Sequence, residues 1–468
     1  MERLTDVQYS MQKIFLYNTA TRKKEELKPV VEGKIGMYSC GPTVYWNQHI
    51  GHMYCYVQWD TLVRLMRYVG YNVNWVMNIT DVGHMVSDAD EGEDKMETGA
   101  KREGLTVWEV AKKYEAQFRE SLNLLNISGI NTICRATEHI PEQVELAKKI
   151  ESNGYAYLTK TGLVFDTEKF DNYAKFANLK LQNMDSGNRV EVDLDKKNAW
   201  DFLLWITNQP EHIMKWISPW GEGFPGWHIE CTAMSTKYLG ETFDIHTGGI
   251  EHIGVHHTNE IAQGYGAFGH QTANYWVHNG WLTYEGAKMS KSLGNIILAS
   301  DLLPKGYDPL ALRYLILTSS YSKGIDFTFK SLDGAQAALN KLVIASQVVG
   351  DGKIIKEIVD EFVEKISDDL AMPEGMAVIW KMMKSDSDVK DVKATLIELD
   401  KILGLDLSRV RNIEEIPIEV QELANKRMEA KNAKNWAEAD ILRDKIKTLG
   451  YLVEDFKNDC KIRKLVLS

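Results

Sequence analysis

A strand, a tight turn, a helix and a second strand follow one another within residues 34–80, and this unit constrains the fold more than any other segment. Lys34–Ser39 (KIGMYS) predicts a short strand, and the Cys-Gly-Pro-Thr segment after it predicts a turn. A helical pattern then runs to Gly70, where a helix C-terminal glycine is expected. Residues 73–79 (VNWVMNI) predict a second strand. Since the unit has the size of a parallel crossover, we predict the start of a doubly wound nucleotide-binding sheet.

Elements of the same kind return after a long interruption. Residues 242–245 and 275–277 predict strands, and a helical pattern from about residue 256 to 267 lies between them. The interruption, residues 120–225, mixes strand and helix patterns and is rich in aromatic residues. The chain is therefore predicted to be an α/β protein with a Rossmann-like parallel sheet that carries an α/β insertion.

The C-terminal part is predicted to be helical. Asp308 followed by Pro309 is typical of a helix start, and helical patterns continue to about residue 405. A separate segment begins near Val420 and ends at Gly450. Its apolar residues are spaced by three or four, which predicts a helix; they are Trp436, Ala439, Leu442, Ile446 and Leu449. The same spacing indicates that Trp436 is a core residue.

Composition excludes several classes of protein. A chain of 468 residues is long for one compact domain, so we expect two to four. Its 44% apolar and 26% charged residues are ordinary for a globular protein, and no run approaches the roughly 18 apolar residues of a membrane span. The five cysteines are scattered and odd in number, unlike a disulfide framework. Without a secretory signal pattern at the N-terminus, the chain is expected to be cytoplasmic.

The charge is unevenly distributed. The net charge of −11 argues against a protein that coats nucleic acid through bulk electrostatics. Residues 421–468 nevertheless hold 11 basic residues against eight acidic ones. A local contact with nucleic acid is therefore possible at the C-terminal end.

His49-Ile50-Gly51-His52 opens the first predicted helix, directly after the first strand and turn. A triphosphate bound there would meet free backbone amides and the positive end of the helix dipole. The glycine permits close backbone approach, and the two imidazoles could donate hydrogen bonds to phosphate oxygens. The tetrapeptide alone is equally consistent with two surface histidines at a helix start.

Lys288-Met289-Ser290-Lys291-Ser292 forms a second motif, in a loop with two lysines three residues apart. Such a loop can close over a triphosphate and place ammonium groups on the departing pyrophosphate. Alone, it would be read as a solvated turn. Its presence together with the histidine motif, in this order on a doubly wound sheet, makes coincidence unconvincing.

The two motifs in this order resemble those of class I aminoacyl-tRNA synthetases. Four further segments resemble cysteinyl-tRNA synthetases in particular: residues 38–45 (YSCGPTVY), 226–231 (GWHIEC), 244–246 (DIH) and 256–260 (HHTNE). The resemblance extends from about residue 12 to the C-terminal tail. It implies a ligase that activates L-cysteine with ATP and Mg²⁺ and transfers it to tRNA(Cys), with His49, His52, Lys288 and Lys291 as its catalytic residues.

The resemblance also implies one zinc ion per chain on Cys40, Cys231, His256 and Glu260. Two thiolates, an imidazole and a carboxylate are all good zinc ligands, and His256 and Glu260 lie four residues apart on one helical face. A soft metal could distinguish cysteine from serine, for which shape alone gives only about 10- to 200-fold discrimination. The insertion then need not be an editing domain.

Other site residues follow from the resemblance. ATP is expected on the two motifs, Gly51 included, and on Gly248, with Glu251 beside the ribose where the family usually has aspartate. The cysteine pocket is expected to be lined by Thr80, Trp227, His228 and His246. His84 precedes an acidic segment at residues 87–94. It could be an additional site residue or a solvated loop histidine, and we favour the second interpretation.

In the family, a helical bundle and a small terminal domain engage tRNA. Phosphate contacts could come from the basic side chains around Trp436, namely Lys426, Arg427, Lys431, Lys434 and Arg443. The predicted domains are residues 12–119 and 226–304 for the two halves of the catalytic domain, 120–225 for the connective insertion, 305–410 for the bundle and 411–468 for the tRNA-binding domain.

Two alternatives stay open. A related ligase joins cysteine to an amino sugar with the same adenylation chemistry but lacks the extended C-terminal tail. The second alternative is a zinc protein that binds RNA without catalysis. The intact histidine and lysine motifs disfavour this alternative. We expect a monomer without membrane association.

Overall fold

The computed structural model describes residues 12–83, 94–173, 175–177, 195–290, 294–409, 417–433, 435–456 and 459–464. The strands are β1 Phe15–Asn18, β2 Lys23–Glu26, β3 Lys34–Ser39, β4 Asn72–Ile79, β5 Thr132–Arg135, β6 Ala156–Thr159, β7 Gly162–Phe165, β8 Phe202–Thr207, β9 Trp216–Ser218, β10 Gly221–Pro225, β11 Phe243–Gly249, β12 Ala273–Asn279, β13 Leu282–Tyr284, β14 Ala287–Lys288, β15 Ile325–Phe327, β16 Tyr451–Phe456 and β17 Asp459–Lys464. The helices are α1 Ile50–Tyr68, α2 Lys95–Glu103, α3 Val107–Leu124, α4 Ile140–Ser152, α5 Trp227–Leu239, α6 His256–Phe268, α7 Pro309–Leu317, α8 Phe329–Ser346, α9 Lys356–Ile366, α10 Met372–Met382, α11 Val389–Leu403, α12 Ile418–Asn432 and α13 Trp436–Thr448.

A parallel sheet of five strands forms the centre of the molecule. Its spatial order is β12-β11-β3-β4-β5, and every neighbouring pair is parallel. In chain order this is the 3-2-1-4-5 arrangement of a doubly wound fold, so the predicted fold class is confirmed. The chain winds outward from β3 in one direction and from β11 in the other. A crevice therefore opens at the carboxyl ends of these two adjacent strands.

The insertion between the sheet halves has its own antiparallel sheet, in the order β6-β7-β8-β10-β9. Helix α3 continues through the predicted domain boundary at residue 120, and β5 still belongs to the parallel sheet. The chain therefore leaves the parallel sheet only after Arg135. The inner residues of this antiparallel sheet share a hydrophobic core with α5 and α6, so the insertion packs directly against the second half of the parallel sheet.

The helical bundle packs against the first half of the sheet. Its start is the predicted one, since the Asp308 side chain accepts a hydrogen bond from the Leu310 amide (2.9 Å) and Pro309 is the first helical residue. Buried apolar residues from Ile14 to Leu407 form one continuous core that includes both α1 and the bundle. No helix in the described part of the chain is long and apolar enough to cross a membrane.

The C-terminal segment forms a separate small core. Helices α12 and α13 pack with the β16-β17 hairpin around Val420, Ala424, Ile446 and Tyr451. The prediction that Trp436 is a core residue is wrong, because it is the first residue of α13 and its side chain is 60% exposed. Arg427, predicted to contact phosphate, is buried with 4% of its surface exposed.

A buried ion pair joins the bundle to the parallel-sheet domain. The Arg313 guanidinium on α7 donates to Asp60 Oδ2 on α1 (2.7 Å), and both side chains are fully buried. Arg313 also donates to the backbone oxygens of Leu403 (2.6 Å) and Leu125 (3.0 Å). A fourth bond goes to the backbone oxygen of Asn126 (3.2 Å). One guanidinium thus has four acceptors and connects α7 to α1, to α11 and to the end of α3.

We predict that Arg313→Met destabilises the chain by about 2–4 kcal/mol. It removes one of the two arginines that pair with the buried Asp60 carboxylate, the other being Arg64 (2.7 Å), and it takes a donor from the backbone oxygens of Leu403 and Leu125. Chemical denaturation followed by circular dichroism measures the loss. Arg409→Met, at an exposed position, serves as the control and should change the stability by less than about 0.5 kcal/mol. Equal unfolding midpoints for the two variants would contradict the structural role of Arg313.

Candidate functional site

The candidate site lies in the crevice between β3 and β11, at their carboxyl ends. Cys40 directly follows β3, and its amide donates to Thr247 O on β11 (3.2 Å). Gly248 and Gly249 end β11, and helices α1 and α6 begin close to these strand ends. Two helix N-termini and a glycine pair therefore surround one crevice, which is an arrangement suited to anionic ligands.

His49 and His52 form a reciprocal cap at the start of α1. The His49 Nδ1 atom accepts from the Gly51 amide (3.1 Å), and the His52 Nδ1 atom accepts from the His49 amide (3.2 Å). The two rings lie 3.9 Å apart between centroids. Because each Nδ1 is an acceptor, the proton of each neutral ring is on Nε2. The motif therefore presents two neutral N–H donors.

Burial keeps both rings neutral. It lowers the pKa of His49 to about 4, with a further contribution from the Lys288 charge. Burial and then the adjacent His49 lower the pKa of His52 to about 3. A Cβ on Gly51 would lie 2.8 Å from the His49 ring, so glycine is needed at this position for the ring to fold back onto the helix start.

The lysine motif lies against the histidine motif. Lys288 ends β14, and its charge acts on both His49 and His52. The loop after it is tied by Asn295, which accepts from the Ser290 amide (2.8 Å) and donates to Lys288 O (3.2 Å). Lys291 lies outside the described residues. The structure thus brings together three of the four predicted catalytic side chains.

The four predicted zinc ligands converge in the same crevice. One potential ligand atom from each of Cys40, Cys231, His256 and Glu260 lies within 4.8 Å of all the others. Glu260 Oε1 is buried, accepts no hydrogen bond in the described part of the chain, and lies 3.2 Å from His256 Nε2. An edge of about 3.3 Å between nitrogen and oxygen ligands is expected around tetrahedral zinc. The residues therefore fit a zinc ion.

The thiols of this cluster are held in the protonated form without a metal. Burial raises the pKa of Cys40, and the hydrogen bond with Cys40 followed by burial raises that of Cys231 well above its usual value. A divalent cation would reverse both shifts, because a coordinating thiol loses its proton.

Histidines surround this ligand set. His246 Nε2 donates to Glu260 Oε2 (2.9 Å), and the Nδ1 atoms of His228 and His256 lie 3.0 Å apart. Ligand side chains held by outer partners of this kind are typical of metal sites. A second group, Cys40, His246, His257 and Glu260, also has ligand atoms within 4.8 Å of one another. It shares two members with the predicted set.

The residues predicted to line the cysteine pocket differ in exposure. His228 and His246 are almost fully buried and contact two of the predicted ligands, His256 and Glu260. The Trp227 ring packs over His256 with 4.4 Å between centroids. Thr80, at the end of β4, donates to the buried Glu230 carboxylate (2.9 Å).

The predicted ribose residue has a partner that the sequence does not suggest. Glu251 Oε2 accepts a hydrogen bond from the indole N–H of Trp281 (2.8 Å), a half-exposed side chain next to the lysine loop. A Cβ on Gly248 would lie 2.7 Å from the rings of both His252 and His257, so glycine leaves the space that these rings occupy.

The sequence patterns above do not point to His257 or His278. Both are buried and contact each other between α6 and the end of β12 (Nδ1 to Nε2, 2.7 Å). Two sequence features could have pointed to them: His257 is a second histidine next to His256, and His278 directly follows the strand predicted at residues 275–277. His84 and most of the acidic segment lie outside the described residues; Asp94, at its end, caps α2 and contacts His212 Nε2 (3.1 Å).

Comparisons with known proteins agree with this fold. The family model of the class I (C) tRNA synthetase catalytic domain matches residues 26–337. The structure of Mycobacterium tuberculosis methionyl-tRNA synthetase in complex with methionyl-adenylate is similar in fold, with a TM-score of 0.56 at 16% identity over 80% of this chain and 90% of that one. The fold and the family match therefore define a class I aminoacyl-tRNA synthetase.

The curated relatives narrow the class. Cysteine–tRNA ligase 1 of Burkholderia lata is 43% identical over 447 residues, which cover 94% of this chain and 94% of that protein. The cysteine–tRNA ligase of Treponema denticola is 40% identical over 489 residues, covering 96% and 99%. The chain belongs to the cysteine–tRNA ligase family.

We predict that His49 and His52 stay neutral in the folded, ligand-free chain down to about pH 5, with the proton on Nε2. Nitrogen chemical shifts of selectively labelled histidine report both the charge and the tautomer. In the unfolded chain the same rings should titrate near pH 6.5. Since the unfolded state then binds the extra protons, these rings also reduce stability as the pH falls below about 6.5. A folded-state midpoint near 6.5 would contradict the capped arrangement.

Proposed function

We propose that the chain activates L-cysteine with ATP and transfers the cysteinyl group to the 3′ end of tRNA(Cys), with a zinc ion recognising the substrate thiolate. The observation that carries this proposal is the convergence of a zinc-type ligand set and a triphosphate-type histidine cap in one crevice. Amino-acid selection and phosphate chemistry must meet at one point in such a reaction. The crevice at the adjacent carboxyl ends of β3 and β11 would bring the two together.

Cys40, Cys231, His256 and Glu260 would hold the zinc ion. When bound, zinc supplies a soft Lewis acid to which a cysteine thiolate binds and a neutral serine hydroxyl does not. His228 and His246 would orient His256 and Glu260, respectively, through their contacts with these ligands. Trp227, packed over His256, would shape the pocket around the amino acid.

The phosphate chemistry would rest on the two motifs. A cysteine carboxylate oxygen attacks the α-phosphorus of ATP, and the bond to the pyrophosphate oxygen breaks. His49 and His52 would donate their Nε2–H groups to phosphate oxygens, while Lys288 and Lys291 would neutralise the departing pyrophosphate. The cysteine carboxylate needs no general base, because it is ionised at neutral pH. Mg²⁺ would accompany ATP.

The adenosine would lie toward the end of β11. Gly248 would let the His252 and His257 rings pack against the backbone beside the nucleotide, and Glu251 would accept from a ribose hydroxyl. The bond from Trp281 would hold the longer glutamate side chain in a fixed position for this contact. In the second step, a terminal ribose hydroxyl of tRNA attacks the carbonyl carbon of the adenylate, and AMP leaves.

The small C-terminal domain would contact the tRNA. Lys426 is exposed and Lys431 half-buried on α12, and Trp436 presents an exposed indole at the start of α13. An exposed aromatic ring beside basic side chains suits single-stranded RNA, whose bases can stack on it. Arg443 pairs with Asp440 (3.2 Å), and Lys434 lies outside the described residues.

We predict that Cys231→Ser lowers the zinc content below the one ion per chain expected of the wild type. Its preference for cysteine over serine should fall to roughly the 10- to 200-fold that shape alone provides. Zinc content and ATP–pyrophosphate exchange with each amino acid are measured on the same sample.

Cys134→Ser is the matched control for this variant. Cys134 is equally buried, but it lies on β5 and its thiol donates to Met77 O (3.5 Å). This control should retain both zinc and selectivity. A zinc-free wild-type chain with full activity and unchanged selectivity would refute the metal assignment.

We predict that His52→Gln lowers the turnover of cysteine-dependent pyrophosphate exchange by about 100- to 1000-fold, as removal of one transition-state donor does elsewhere. The KM for cysteine should change little, because the substitution leaves the ligand set intact. His270→Gln, at a histidine that bonds to the neighbouring Gln271 O (2.9 Å), is the control. Equal turnover in both variants would exclude His52 from the chemistry.

Charging of tRNA(Cys) separates this proposal from the amino-sugar ligase. Exchange without charging would favour that ligase, and the absence of exchange would exclude both. The α12-α13 domain with its exposed Trp436 favours the tRNA reaction.

A further inference from the structure

A continuous chain of hydrogen bonds runs from Cys40 to the N-terminal segment. His257 Nε2 lies 3.3 Å from Cys40 Sγ, and His257 Nδ1 lies 2.7 Å from His278 Nε2. His278 Nδ1 in turn lies 2.8 Å from Thr19 Oγ1. The chain thus passes through two buried imidazoles and ends on a half-buried hydroxyl.

The donor and the acceptor of each hydrogen bond follow from the protonation state of Cys40. A metal-bound cysteine is a thiolate, which has no proton to give, so His257 must donate through Nε2–H. A neutral imidazole carries one ring proton, and His257 Nδ1 must therefore accept from His278 Nε2–H. By the same rule, His278 Nδ1 accepts from the Thr19 hydroxyl. One tautomer of each ring satisfies every contact.

We propose that Thr19, His278 and His257 form a hydrogen-bond relay that positions Cys40 as a zinc ligand and withdraws charge from its sulfur. The inference rests on the proposed function, because it takes Cys40 as a ligand. It assigns three positioning residues that touch neither the metal nor the substrate.

The relay connects the Cys40 side chain, which lies in a turn, to regular secondary structure. Cys40 lies in the turn after β3, whereas His257 is in the first turn of α6 and His278 is near the end of β12. Thr19 is fixed to β12 as well, since its amide donates to Trp276 O (2.8 Å). The position of a cysteine in a loop therefore depends on a helix and on the edge strand β12 of the parallel sheet. Outer contacts of this kind orient ligands and tune the charge on them.

Zinc affinity of the full-length chain tests the relay, measured by competition with a chromogenic chelator. We expect His257→Phe to weaken zinc binding by about 10- to 100-fold, the usual effect of losing an outer partner. Thr19→Val should weaken it less, since Thr19 is three contacts away from Cys40, and Thr19→Ser should keep the wild-type affinity. His139→Phe is the matched control: His139 is buried and hydrogen-bonded to Arg135 O (2.7 Å), away from the ligand set.

A spectroscopic measurement separates the relay from a general effect on folding. In the cobalt-substituted chain, the thiolate-to-metal charge-transfer band reports the charge on sulfur. We expect Thr19→Val and His257→Phe to shift this band to lower energy, because a thiolate without its donor is more easily oxidised. Thr19→Ser and His139→Phe should leave it unchanged.

Each contrary outcome has a distinct meaning. Wild-type zinc affinity and an unshifted band in both Thr19→Val and His257→Phe would overturn the relay alone. Complete loss of the site in His257→Phe, with Thr19→Val unaffected, would also overturn it, because His257 would then be a ligand itself. A wild-type chain that takes up no zinc would instead overturn the metal site on which the proposed function depends.

Discussion

The adjacency of β3 and β11 at the centre of the parallel sheet is the constraint on which the rest of the site depends. The two strands are separated by an insertion and a long stretch of chain, yet they pair in parallel register from Met37 with Ile245 to Ser39 with Thr247. Because the winding reverses between them, their carboxyl ends border an open crevice. Cys40 and the Gly248-Gly249 pair are placed there by strand pairing alone. The helices that follow supply the histidine cap and half of the ligand set.

The elements around this crevice are held by buried polar contacts as well as by apolar packing. The Arg313–Asp60 pair attaches the bundle to α1, the helix whose first turn carries His49 and His52. The continuous core from the N-terminal hairpin to the bundle makes α1 a shared element of both units. The C-terminal domain has its own core, so the proposed tRNA-binding surface can vary there without disturbing the crevice between β3 and β11.

Much of the fold could be predicted because local patterns and tertiary structure agree. The first strand, the Asp308 cap and the start of α6 at His256 lie where the sequence predicts them. Predictions from helical spacing alone were less secure. Trp436 has the spacing of a core residue but opens its helix, where one side of the first turn faces solvent. Arg427 was predicted to be a surface contact, although it lies on the buried face of α12.

The order of residues along the chain shows which chemical groups are available: two thiols, a carboxylate, the histidine and lysine motifs, and the strand and helix patterns that carry them. The folded structure is needed to show which of these groups lie close together, because their convergence depends on pairings between strands that are far apart in sequence. It also decided the tautomers of His49 and His52, which follow from backbone amides at the start of α1. The hydrogen-bond relay from Cys40 to Thr19 likewise depends on the tertiary structure. Its members come from four segments, and no spacing within one segment encodes their contact.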